Sequence, residues 1–123
     1  MSTDPYLVVL HAHGLEVDHN PRVGVAAAGH IRNCSSQGMG RLRAWFSDDF
    51  GFESITGRPR YAANELADHI LRAIGYHQPE AEYWRGVVAL SMEEDPATET
   101  IPPIPADVLA TIQELETEFW ETH

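Results

Sequence analysis

Apolar residues occupy both alternating sides of the stretch from Pro5 to Leu15. Leu7 and Val9 share one side with His11 and His13, and Tyr6, Val8, Leu10 and Ala12 share the other. A strand that is apolar on both sides is covered on both sides, so this stretch predicts a central strand. Asn20-Pro21 then punctuates the chain, with Asn20 suited to a helix N-cap and Pro21 to the first helical position. Val23 to Arg32 fits two periods. Val23, Ala26, Ala27, His30 and Ile31 form a helical stripe, and Val23, Val25, Ala27 and Ile31 also alternate as in a strand. Gly24 and Gly29 each weaken a helix by about 1 kcal/mol relative to alanine. The Asn-Pro start nevertheless favours a short helix here.

The polar run Asn33 to Gly40 predicts a loop, with a free-standing turn at Gly38-Met39-Gly40. Arg41 to Ser47 alternates Leu42, Ala44 and Phe46 against Arg41, Arg43 and Trp45, which predicts a half-buried strand. Asp48-Asp49 breaks it, Phe50 to Thr56 predicts a return strand, and Gly57 to Arg60 predicts a turn. From Tyr61 to Ile74, Ala63, Leu66, Ala67, Ile70 and Ile74 recur at helical spacing, and Gly75 is placed to end the helix. Tyr83 to Met92 predicts a strand with Trp84, Val88, Leu90 and Met92 on one side. Residues 93–105 form an acidic, proline-bearing connection that cannot be a helix interior. Ala106 to Glu121 predicts an amphipathic helix, with Val108, Leu109, Ile112, Leu115 and Phe119 on one side. Asp107, Glu114, Glu118 and Glu121 lie nearly opposite, and Glu116 departs from this division.

The predicted class is α+β: a two-layer fold with an antiparallel or mixed sheet of about four strands and two or three helices on one face. If residues 23–32 are helical, the order is βαββαβ plus a terminal helix, the ferredoxin-like arrangement. If they form a strand, the order is an antiparallel meander carrying two helices. Residues 1–123 are expected to make a single domain, since domains cluster near about 100–150 residues.

Charge changes this picture more than composition does. Hydrophobic residues at 43% and charged residues at 22% are ordinary for a globular chain, which excludes collagen-like and disordered classes. The longest apolar run, Leu7 to Leu10, is far short of the roughly 20 residues of a membrane helix. The start Met1-Ser2-Thr3-Asp4-Pro5 has no base ahead of the apolar stretch, so no secretory signal is expected. The formal net charge is −11, from 19 acids against 8 bases, all of them arginine. Residues 1–60 carry six of each, so the whole excess lies beyond residue 60. From Glu93 onward there are nine acids and no arginine. Such a field repels phosphates and anionic lipid, so direct nucleic-acid or membrane binding is not expected and a basic protein partner is. A single cysteine, Cys34, closes no internal disulfide and fits the reducing cytoplasm.

Four groupings could carry chemistry. His11 and His13 lie two apart, which on a strand puts them on one face, and Asp18 or His19 could add a third metal ligand. Arg41, Arg43 and Trp45 share a strand face suited to an anionic ligand, with Arg58 and Arg60 nearby. Asp48, Asp49 and Glu53 could act as an acid–base set, although paired acids more often form turns. Gly38-Met39-Gly40 leads into a strand, where a phosphate-cradling loop needs a helix N-terminus. The largest coherent feature is the acidic set Glu93, Glu94, Asp95, Asp107, Glu114, Glu118 and Glu121, which reads as a partner-binding surface.

In size and charge the chain is similar to small bacterial immunity proteins and phage-encoded inhibitors; the similarity covers composition and carries no motif. The reading that follows is a small acidic protein-binding module. It would act as an inhibitor or immunity/anti-defence type protein on a basic or nucleic-acid-handling partner, without catalysis, cofactor or metal. Two alternatives stay open: a metal-assisted enzyme or small-ligand binder using His11, His13 and His19, and a structural or assembly subunit.

Overall fold

The first strand is half the predicted length because the chain turns back within it. β1 (Leu7–His11) and β2 (Gly14–Asp18) pair antiparallel as a hairpin, with Leu10 opposite Leu15 and His11 opposite Gly14 across the Ala12-His13 turn. This computed structural model describes residues 4–47, 61–76 and 84–122. The return strand predicted over Phe50–Thr56, the Asp48-Asp49-Glu53 set and Arg58-Arg60 lie outside the described residues.

α1 (Val23–His30) resolves the ambiguous stretch as a helix. Its N-cap is Arg22, not Asn20. Asn20 acts one step earlier: its Oδ1 accepts from the Arg22 N–H at 3.0 Å, and Asp18 Oδ1 accepts from the Asn20 N–H at 2.9 Å. Two successive side-chain turns thus steer the chain out of β2 and into the helix.

The predicted loop at 33–40 is largely a strand. β3 (Cys34–Gly38) pairs antiparallel with β4 (Leu42–Ser47), from Cys34 opposite Ser47 to Gly38 opposite Arg43. Gly40, at φ +88°, makes the turn between them. Cys-Ser-Ser-Gln-Gly has weak strand propensity, and its conformation comes from pairing with β4.

α2 (Glu65–Ala73) starts four residues later than predicted, because Ala63 forms a bridge with Arg85 instead of a helical turn. Asn64 caps it, accepting from the Ala67 N–H at 3.0 Å. Gly75, at φ +92°, ends it as expected: the Gly75 N–H donates to Arg72 O and the Tyr76 N–H to Leu71 O, the paired bonds of a Schellman closure. Gly86, at φ +70°, is fixed by space as well as conformation, since a Cβ there would stand 3.1 Å from Tyr61 Cγ.

β5 (Val88–Met92) is buried along its whole length and pairs antiparallel with β1 on one side and β4 on the other. The sheet order is β2-β1-β5-β4-β3, antiparallel throughout, so the described residues form five strands where about four were predicted. Two strands are additions to the prediction: β2, from splitting the first stretch into a hairpin, and β3, from the predicted loop.

Leu7, Val8, Val9 and Leu10 are all fully buried, which bears out a strand covered on both sides. Val8, Leu10, Ala44, Phe46, Val88, Leu90 and Met92 face α2 and the last helix, α3 (Ala106–Thr122). Leu7, Val9 and Ala89 face α1 on the other side, against Val23, Ala26, Ala27 and Ile31. Two helices, α2 and α3, do share one face, but the expected two-layer arrangement is corrected: α1 covers the other face, for a strand apolar on both sides requires cover on both. The order ββαββαβα is also not the ferredoxin-like βαββαβ order. The connection before α3 is anchored: Ile104 is buried and its N–H donates to Pro5 O at 2.8 Å. Among the described residues, no helix is long and apolar enough to cross a membrane.

Candidate functional site

α3 docks through Ile112 and Phe119, which are buried, with Val108, Leu109 and Leu115 packed partly against the same core. The helical period then forces Asp107, Glu114, Glu118 and Glu121 outward, and all four are exposed. Glu114, Glu118 and Glu121 line a shallow depression of about 500 Å³ with Ala110, Gln113 and Thr117. Among the described residues, no arginine forms an ion pair with this row. Glu118 Oε1 lies 3.4 Å from His69 Nε2 on α2, without hydrogen-bond geometry. Glu116 sits apart, accepting from the Trp120 indole N–H at 3.2 Å. Trp120 is 46% exposed at the end of the helix.

The remaining acids of the predicted set behave differently. Glu93 is half-buried and paired with Arg43, Oε1 to Nε at 2.8 Å. The Glu94 backbone N–H also donates to it, and this bond first, with Arg43 second, holds its carboxyl below the ordinary value. Asp95 shapes a turn: its Oδ1 accepts from the Ala97 N–H, and its backbone pairs with Thr100. Glu94 and Asp95 are exposed, but they lie on the connection and not on the helix.

The arginine–aromatic strand face is consumed internally. Arg43 Nη1 donates to Ser36 Oγ at 2.8 Å besides its pair with Glu93, and the Trp45 indole donates to Ser91 Oγ at 2.9 Å. Only Arg41 of the three is exposed. It lines a pocket of about 280 Å³ with Met39, Leu42, Ile74, Asp107, Val108, Thr111 and Ile112. This pocket lies between the β3–β4 turn, the end of α2 and the first half of α3. The sequence reading missed it, although Asp107 and Arg41 had each been singled out.

The histidines do not converge as the metal-site alternative requires. The hairpin turn takes His13 off the strand, and its ring stacks on that of His11 with centroids 5.1 Å apart. His11 Nε2 bonds Glu16 Oε1 at 2.8 Å, and His30 Nε2 bonds Asp18 Oδ2 at 2.9 Å. The Asn20 N–H, followed by His30, holds the Asp18 carboxyl below its ordinary value. Among the described residues, no three His, Cys, Asp or Glu side chains converge as metal ligands, and His19 stays apart and exposed. His11 and His13 instead edge a groove with Tyr61, Asn64 and Gly86. Tyr61 was not singled out in the sequence; its hydroxyl is buried and, among the described residues, has no hydrogen-bond partner. Cys34 is free and half-buried, and burial pushes its thiol pKa up, against a nucleophilic role.

Compared with family models, with curated proteins and with solved structures, the chain finds no match in any of the three.

Proposed function

We propose that this chain is a small acidic protein-binding module that engages a basic partner through the outer face of α3, in the manner of an inhibitor or an immunity/anti-defence protein. The observation that carries the reading is the row Asp107, Glu114, Glu118 and Glu121, exposed on a helix whose other side is anchored in the core. Among the described residues no arginine pairs with this row of carboxylates, and a cationic surface would complement it. The net charge of −11 adds long-range attraction for such a surface and repulsion for nucleic acid and anionic lipid. The free cysteine suits a reducing compartment, so the cytoplasm is its proposed place. The test is capture from an extract of the native host, with the captured proteins identified by mass. The wild-type protein should retain a basic protein at low salt, and Glu114→Arg with Glu118→Arg should not. Equal recovery by both forms would remove the acidic row from the function.

A second reading, a small-ligand binder, rests on the groove lined by His11, His13 and Tyr61; the Tyr61 hydroxyl is buried and, among the described residues, has no hydrogen-bond partner. A ligand that hydrogen-bonds this hydroxyl should bind Tyr61→Phe more weakly.

A further inference from the structure

The acidic row has a spacing that the pocket beside it shares. Asp107, Thr111, Glu114, Glu118 and Glu121 follow one another at intervals of four, three, four and three residues, the ridge of neighbours along one side of a helix. The first two members, Asp107 and Thr111, also line the 280 Å³ pocket. The pocket therefore opens at one end of the row, and the row runs from it for about 21 Å, at 1.5 Å per residue. Its walls are apolar: Met39, Leu42, Ile74, Val108 and Ile112. Arg41 and Asp107, both exposed, also line it.

Size decides what such a pocket can hold. A dry cavity of about 150 Å³ takes one benzene ring, and pockets for whole small-molecule ligands begin near about 300 Å³. A volume of about 280 Å³ suits one large apolar side chain. Resting on the protein-binding reading above, we infer that the partner presents a basic segment with one large apolar residue at its end, tryptophan or leucine. That residue enters the pocket, and lysines or arginines behind it follow the acidic row. Arg41, an exposed residue of the lining, supplies donors for a backbone carbonyl beside the anchor. The division of labour is physical. The row is solvated, so its charges chiefly speed encounter, while the pocket is apolar and desolvates its occupant, which gives most of the binding strength.

The test uses synthetic peptides of about eight residues, enough to span the row when extended at roughly 3.4 Å per residue. They are built of arginine, lysine and serine and differ at one terminal position: tryptophan, leucine or alanine, placed at either end. Binding to the full chain is followed by fluorescence polarisation, and its location by methyl NMR. The tryptophan or leucine peptide should bind about tenfold tighter than the alanine peptide, as a pocket-filling anchor does. Methyl shifts should centre on Leu42, Ile74, Val108 and Ile112. Thr111→Trp, which fills the mouth, should abolish the advantage, and Val25→Ser, on α1 across the sheet, should leave it intact. Should Thr111→Trp fail to fold, the methyl shifts of the wild-type chain decide. If all three peptides bind equally while Glu114→Arg with Glu118→Arg weakens each, the anchor pocket is overturned and the acidic docking face stands. If no peptide responds to the double reversal, both fall.

Discussion

Asn64 joins three separate parts of the fold through one side chain. It is buried, at 1% exposure, and its amide N–H₂ donates to Leu10 O and to Gly86 O, each at 2.8 Å. Its carbonyl oxygen meanwhile caps α2. One side chain thus ties the end of β1, the approach to β5 and the first turn of α2. Asn64→Ala removes the cap and leaves two carbonyls without this donor, and should cost about 2–3 kcal/mol in denaturant unfolding. Asn64→Asp keeps the cap but turns an oxygen toward those carbonyls. At neutral pH it should cost at least as much. A carboxyl in that place has a raised folded-state pKa, so the variant should regain stability as the pH falls and the group becomes a donor. An Asn64→Asp protein as stable as wild type at neutral pH would show that the two carbonyl bonds carry little weight.

The Arg43–Glu93 pair acts at the same scale. Glu93 is held below its ordinary 4.5, so its contribution is present above that value and is lost as pH falls through the lower folded-state value. Glu93→Gln should therefore lower stability by up to about 1 kcal/mol at neutral pH. The difference from wild type should vanish in acid. A gap that is constant across this range would assign the effect to packing over Gly38, where a Cβ would collide with the Glu93 carboxylate. The sequence makes neither this pair nor the Asn64 bonds visible, since both join residues far apart along the chain.

At the scale of elements, α3 is graded along its length. Ile112 is 1% exposed and Leu115 only half-buried, although helical spacing places both on the apolar side. Ile112→Ala should cost about 2–5 kcal/mol and Leu115→Ala clearly less, roughly 1–2 kcal/mol. Equal losses in thermal unfolding would mean that Leu115 packs more tightly than its exposure shows. Elements with a clear period were legible: α2, β4 and β5 lie within the stretches predicted for them, and α3 runs one residue past its own. Three features were not. The Ala12-His13 turn lacks the Asn-Gly or Asp-Gly signature of a tight hairpin, so the chain read as one long strand. β3 is polar and weakly strand-forming, and exists because β4 offers it a ladder. The first turn expected of α2 is pre-empted by the bridge between Ala63 and Arg85. Of the candidate site, the row on α3 was legible as a helical stripe. The pocket at its end was not, because its walls come from three segments far apart along the chain.

For the whole molecule, charge and stability should separate. Reversing Glu114 and Glu118 to arginine changes an exposed face, so folding stability should stay within about 0.5 kcal/mol of wild type. The association rate with a basic partner should fall, and the salt dependence of that rate should flatten. A double reversal that unfolds the chain would instead make the row part of its structural support.

The place of β5 in the sheet bears on how the chain comes together in time. It sits between β1 and β4, yet it is the last strand in the sequence, so two short-range hairpins wait for residues 88–92 to join them. Closing such distant pairings must be entropically prepaid before any contact rewards it, which slows folding. The barrier should therefore be crossed as β5 docks. Leu90→Ala, at the buried centre of that strand, should slow refolding more than it speeds unfolding, and substitutions in the β1–β2 turn should do the reverse. Stopped-flow chevrons showing the opposite partition would move the nucleus into one of the hairpins. Until β5 leaves the ribosome, the growing chain has hairpins whose inner edges are unpaired, and in that interval it is most exposed to aggregation.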